Sequence, residues 1–370
     1  MSTITQFNPT LIVAQKPPID TLATFQVDPV NGFLPAQDPV KQLPAYYAPW
    51  EQAISDLPLW LTVNKAGLGL RSLPTLPINQ LETEGQKERA MLLLSMLASA
   101  YVWEEGTPQT LIPYNIAQPL CAVAEALDRP PMLSYTSIVL HNWRRLHPVV
   151  STLGEDPLAT HTLQLEDLAL LHSFGGGMDE QWFYLISVAV EAAGAPALQA
   201  LVAAQDAVAN HQIDSLAESL QRIHKTMKKV FASLLRLHEK CDPYIYYNRV
   251  RHYIGSWPQS GVIYEGVSQT PLFYVGGSAA QSPLFQAIDA GLGIAHNDAE
   301  RAYFQKVRPY MKQGHRRFIQ FLEAGPSVRD YVKSNQMDYP ALCEDYNGCV
   351  SMLDLFRKKH LEIATEYIAR

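Results

Sequence analysis

The sequence is short of most features that announce a function. It holds 4 cysteines in 370 residues, Cys121, Cys241, Cys343 and Cys349. None stands in a C-x-x-C pair or a haem-attachment C-x-x-C-H, so a disulfide scaffold is excluded and a reducing compartment expected. The 11 histidines include no H-E-x-x-H or other paired zinc spacing. Lys and Arg number 29 against 36 Asp and Glu, with no basic block, so no nucleic-acid partner is expected. Alternating β-α-β units are absent, which argues against a doubly wound nucleotide fold. The N-terminal "MSTITQFNPTLIVAQKPP" has no basic segment followed by a long apolar core. No apolar run is read as approaching a membrane span, and the chain reads as soluble, cytoplasmic and without a membrane partner.

What is present is a helical protein. Apolar residues make up 47% of the chain, enough for two domains or one large domain with an appendage. Residues 1–80 are proline-rich and poor in periodicity, and read as extended chain ending in a short helix. From about residue 82 the helical signal dominates. "ETEGQKERAMLLLSMLASAYVWEE" contains no breaker and is apolar enough to be buried. "AQPLCAVAEALDR" predicts a shorter helix, and "RPPMLSYTSIVLHNWRRL" one entered at its prolines. A loop at "SFGGGMDE" (173–180) precedes the helix "EQWFYLISVAVEAAGAPAL". Ile213, Leu216, Leu220, Ile223, Met227, Val230, Leu234 and Leu237 alternate three and four apart, one apolar stripe that predicts core packing. The strand signal is confined to "GVIYEGV" (261–267). The expected fold class is all-α with a long irregular N-terminal region.

Two segments invite chemistry. "YVGGSAAQSPLFQAIDAGLGI" (274–294) has glycines before a helix, yet neither the lysine of a phosphate loop nor the spacing of a dinucleotide loop. Ser282 fits a helix N-cap and Pro283 the first helical position. The small residues make a thin backbone that admits close approach of something bulky. On composition alone, a tight connection between packed helices explains them better. The last helix carries Leu342, Tyr346, Cys349, Leu353, Phe356, His360, Ile363 and Tyr367 on one stripe, with Arg357 one turn before His360. A lone buried histidine is ordinarily a satisfied core residue. It is also how haem iron is held, with a nearby arginine for a propionate. The residue pattern alone leaves both readings open.

Taken together, these stretches resemble the indoleamine 2,3-dioxygenases. "GGSAAQSPLFQAIDAGLGI", "RPYMKQGHRRFIQFLEAGPSVRDYV" and "RKKHLEIATEYI" match the family's C-terminal half. "SAYVWEE", "RPPMLSYTSIVLHNW", "HSFGGGMDEQWFYLISVAVE", "DPYIYYNRVRHYIGSW" and "GVIYEGV" precede them in the family's order. The resemblance covers nearly the whole chain and implies a small N-terminal domain, 1–174, over a large helical haem-binding domain, 175–370. It implies heme b, dioxygen, an electron donor that keeps the iron ferrous, and L-tryptophan or a related indole opened to N-formylkynurenine. By the same resemblance His360 is the iron ligand, and Arg357 and Asp289 form the pair beside a propionate. Ser278 and Ala279 line the haem and substrate pocket. Tyr135, Phe183 and Ser187 surround the reacting indole, with Ser187 not assigned as a base. Arg251 grips the substrate carboxylate.

Three positions depart from the mammalian pattern. Tyr246 replaces a pocket phenylalanine, Ile138 a pocket cysteine and Ala280 a loop glycine. The sequence ends ten residues after His360, where mammalian members continue into a mobile loop. The expectation is a bacterial-type member lacking that loop. Two alternatives accompany it: a haem enzyme mono-oxygenating or rearranging another indole, and a non-catalytic haem-binding protein.

Overall fold

A computed structural model describes residues 20–104, 107–147, 163–175 and 177–368. The first helices are α1 (Asp20–Ala23), α2 (Ala48–Thr62), α3 (Ala66–Arg71), α4 (Glu84–Trp103) and α5 (Tyr114–Ala126). Beyond residue 177 follow α6 (Met178–Ala209), α7 (Ile213–Leu235), α8 (Pro243–Arg249), α9 (Pro283–Leu292), α10 (Asp298–Val307), α11 (Gln313–Ala324), α12 (Val328–Ser334) and α13 (Pro340–Ile368). Strands among the described residues are vestigial. β1 (Leu111–Ile112) pairs in parallel with β4 (Ile263–Tyr264), and β2 (Trp143–Arg145) antiparallel with β3 (Leu168–Leu170). The protein is all-α.

The breaker-free stretch after residue 82 becomes α4. Its start is fixed by a capping box, in which the Thr83 hydroxyl accepts from the Gln86 N–H and the Gln86 side chain accepts from the Thr83 N–H. The helix is then buried from Glu88 to Val102. Its two buried charges are paired, Glu88 with Arg129 and Arg89 with Glu51, as burial requires. The preceding proline-rich segment packs Phe33, Leu34, Tyr47 and Trp50 into the core, and the last two rings stack at 4.8 Å.

The framework of the second half is the packing of α7 between α6 and α13. Leu216, Leu220, Ile223, Met227, Val230, Leu234 and Leu237 of the expected stripe are buried. Where α6 crosses α9, glycines replace side chains. A Cβ on Gly194 would lie 2.3 Å from Leu284, and one on Gly291 2.6 Å from Leu201. That closeness fixes α9 against the core.

Three expectations need correction. "RPPMLSYTSIVLHNWRRL" is not a helix entered at its prolines. Residues 130–134 turn, a single π-helical turn covers Thr136–Leu140, and β2 follows. Tertiary bonds displace the helical ladder there. Tyr135 N–H donates to the Gln281 side chain at 2.9 Å, and the Asn142 amide exchanges two bonds with the His172 backbone. Second, the helix after the glycines does not stop at Leu198 but runs to Ala209. Third, that helix is long and apolar enough to cross a membrane by length and composition, contrary to the reading of the sequence, and 67% of its most apolar window is buried inside the protein.

Candidate active site

A cavity of about 680 Å³ opens between α6, α8, the loop before α9, α9 itself and α13. All ten candidate residues line it: Tyr135, Phe183, Ser187, Tyr246, Arg251, Ser278, Ala279, Asp289, Arg357 and His360. They are scattered over more than two hundred positions in the sequence, and the packing of α6, α7 and α13 brings them together. All four cysteines are free thiols.

One wall belongs to α13. The Phe356 and His360 rings lie nearly parallel, 7° apart with centroids at 6.3 Å, and Phe285 of α9 stacks on Phe356 at 4.3 Å. His360 departs from the stripe's full burial because it faces the cavity, and burial alone holds its pKa below the ordinary value. A neutral imidazole is the form that ligates a metal. One turn earlier, Arg357 Nη2 donates to both Asp289 oxygens at 2.6 and 2.5 Å. His296 Nε2 lies 3.1 Å from the same carboxylate, whose hydrogen bond raises the histidine's pKa. Arg357 remains 41% exposed along its side chain, so a guanidinium edge is available to an anion.

These residues fit a haem. No group of three or more His, Cys, Asp or Glu among the described residues could hold a bare ion. A single imidazole, a flanking guanidinium and apolar walls from Phe285, Phe356, Val190, Ile254 and Ile363 would suit a flat macrocycle held by one protein side chain.

A second wall comes from α6 and α8, which meet α13 at Tyr367. Phe183 stacks on Tyr246 at 4.0 Å, and Tyr184 meets Phe183 edge-on at 5.7 Å. Ser187 donates to the Phe183 carbonyl at 3.4 Å, back along its own helix. Tyr135 turns its hydroxyl into the protein, donating to Glu191 Oε1 at 3.0 Å. Ser282 donates to that same oxygen at 2.5 Å. Ser282 therefore holds the N-cap position of α9 without capping it, because the buried carboxyl claims its hydroxyl. Burial pushes the Glu191 carboxyl up to about 7 against the pull of both hydroxyls.

The loop between the walls is held along its length. Gln281, fully buried, accepts from Tyr135 N–H and donates to the Gly276 carbonyl at 3.0 Å. The Ser278 hydroxyl accepts from Ala280 N–H at 3.3 Å, capping a short turn. A Cβ on Gly276 would lie 2.3 Å from the Gly255 carbonyl, whereas one on Gly277 meets nothing nearer than 3.9 Å. Gly276 thus serves the approach of two backbone segments, and Gly277 alone leaves open space at the cavity. Gly293, with φ 71°, ends α9 in the left-handed conformation just after Asp289.

Sequence reasoning missed Glu191, Gln281, Tyr184 and His296. Only Glu191 had a visible signal, a lone acid in the apolar "ISVAVEAAGA".

The family's sequence model, described as indoleamine 2,3-dioxygenase, matches residues 21–370. The chain belongs to the indoleamine 2,3-dioxygenase family. It is 32% identical to the human indoleamine 2,3-dioxygenase 2 over 355 residues, covering 94% of this chain and 84% of that one. It is 34% identical to the Mus musculus indoleamine 2,3-dioxygenase 1 over 342 residues, 90% and 81% of the two chains. A 6-hydroxytryptophan 2,3-dioxygenase from Fusarium equiseti is 31% identical over 355 residues, 93% and 84%. This indoleamine 2,3-dioxygenase family member is accordingly an oxidoreductase of the dioxygenase type.

Proposed function

We propose that the protein is a haem-dependent dioxygenase that adds both atoms of O2 across the indole C2–C3 bond of L-tryptophan, giving N-formylkynurenine. The observation that carries this is the His360 imidazole on a cavity wall, one turn from the Arg357–Asp289 pair, in a cavity that Arg251 also lines. His360 would supply the iron ligand, and Arg357, steadied by Asp289, would meet a propionate. A bound ferrous haem supplies the dioxygen chemistry. The chain's own work is to bind and orient. The Phe183–Tyr246 stack offers a flat apolar face to an indole. Arg251 offers a planar fork to a carboxylate, which fixes which edge of the ring faces the reaction. Tyr135 presents its ring, since its hydroxyl is committed to Glu191. The Ser187 hydroxyl bonds within its own helix, so it closes the pocket without serving as a base.

The same reading carries the rest of the assignment: a cytoplasmic enzyme, an electron donor that keeps the iron ferrous, and division into 1–174 and 175–370. The test is reduction of hemin-loaded protein without air, addition of L-tryptophan, then admission of oxygen. N-formylkynurenine absorbance, with two oxygen atoms gained by mass, is the expected result. One oxygen gained, or no product, contradicts it.

A further inference from the structure

His296 stands behind the Arg357–Asp289 pair and does not itself line the cavity. Carboxylate oxygens face both of its ring nitrogens: Asp289 Oδ2 lies 3.1 Å from Nε2, and Glu300 Oε2 lies 3.5 Å from Nδ1. A neutral imidazole donates from one nitrogen only, so two facing carboxylates suit the imidazolium. The ring is held in this place. Phe304 meets it edge-on at 4.9 Å, and Arg301 Nη1 donates to the His296 carbonyl at 2.5 Å. Glu300 is placed by the capping box that starts α10, where its Oε2 also accepts from the Asn297 N–H at 2.9 Å. The Asp289 hydrogen bond raises the histidine's pKa against burial and the Arg357 charge.

The balance of charge at this point turns on His296. Asp289, with 6% of its side chain exposed, faces two cationic side chains, Arg357 from α13 and His296. Glu300 of α10 is 52% exposed, so water screens it. Arg301, also of α10, is paired with Asp298. With His296 neutral, Asp289 cancels Arg357. With His296 charged, one positive charge is left over where Arg357 borders the cavity.

We infer that His296 is a positioning residue for the cofactor: as imidazolium it shares the Asp289 carboxylate, and so leaves Arg357 a net positive partner for a haem propionate. This rests on the functional reading above, and deepens it by naming what keeps Arg357 available to an anion. The grip on the propionate is then firm below the histidine's pKa and weaker above it.

The experiment follows haem transfer from ferric, hemin-loaded protein to an apo-globin acceptor by the Soret band, at pH 6 and pH 9 and low ionic strength. Wild type is compared with His296→Gln, which removes the charge, and His296→Lys, which keeps it at both pH values. Comparing proteins at one pH cancels any titration of His360, which all three share. His296→Gln should lose haem about fivefold faster than wild type at pH 6, the size of one partly screened charge contact, and at the wild-type rate at pH 9. His296→Lys should lose it more slowly than wild type at pH 9. A Gln variant that matches wild type at both pH values, or is faster by the same factor at both, overturns the inference alone, as does a Lys variant no slower than wild type at pH 9. Wild-type protein that forms no Soret band with hemin defeats the functional reading and the inference with it.

Discussion

The two walls of the cavity treat their polar groups differently. On the α13 side the charges are matched within the protein: Arg357 by Asp289, and Asp289 again by His296, leaving the imidazole of His360 to face inward. On the α6–α8 side buried donors stand unmatched at Tyr184, Tyr246 and Arg251. Burying an unpaired donor is costly, so the second wall carries a cost that the first does not. One wall thus settles its charges within the protein, and the other buries donors without doing so. The loop 276–282 is tied through Gln281 to Tyr135 beside the π-helical turn and through Ser282 to Glu191 of α6.

The largest break in this comparison is His360→Ala. It should remove the imidazole that would hold a haem iron, so hemin titration should give no Soret band and turnover should fall to background. Glu191→Gln tests the node behind the second wall. The carboxyl's folded pKa of about 7 lies above the ordinary 4.5, so the protonated form is favoured by folding. Wild-type stability should therefore fall by about 3 kcal/mol as pH rises from near 4.5 through about 7, while the Gln variant should lack that decline in urea unfolding. Arg251→Leu should weaken L-tryptophan roughly a hundredfold by calorimetry and leave the Soret band of the substrate-free protein unchanged. Asp289→Asn is the smallest expected effect, a loss of haem to an apo-globin acceptor about tenfold faster. Because Asp289 raises the His296 pKa, the stability lost in this variant should be greater at pH 6, where that histidine is charged, than at pH 9.

Much of this arrangement was legible in the residues. The stripes of α7 and α13 have helical spacing, and such spacing dictates burial whatever surrounds it, so the framework and the inward side of His360 could be read directly. The site residues were reached through resemblance, because Tyr135 and Arg357 share no local pattern that could join them. What stayed hidden depended on tertiary bonds. The segment at residue 130 has helical composition, but Gln281 and His172 take up its backbone and side-chain partners instead. Ser282 looks like a cap, and a glutamate ninety-one positions away claims its hydroxyl. Gly276 belongs to a stretch that read as room for something bulky, yet what it meets is the Gly255 backbone.

The most direct measurement is the visible spectrum of purified protein titrated with hemin, then with L-tryptophan. A Soret band should saturate at one haem per chain, be absent in His360→Ala, and be shifted by L-tryptophan in the wild type but not in Arg251→Leu at the same concentration. A protein that stays colourless, or a band indifferent to His360, would contradict it.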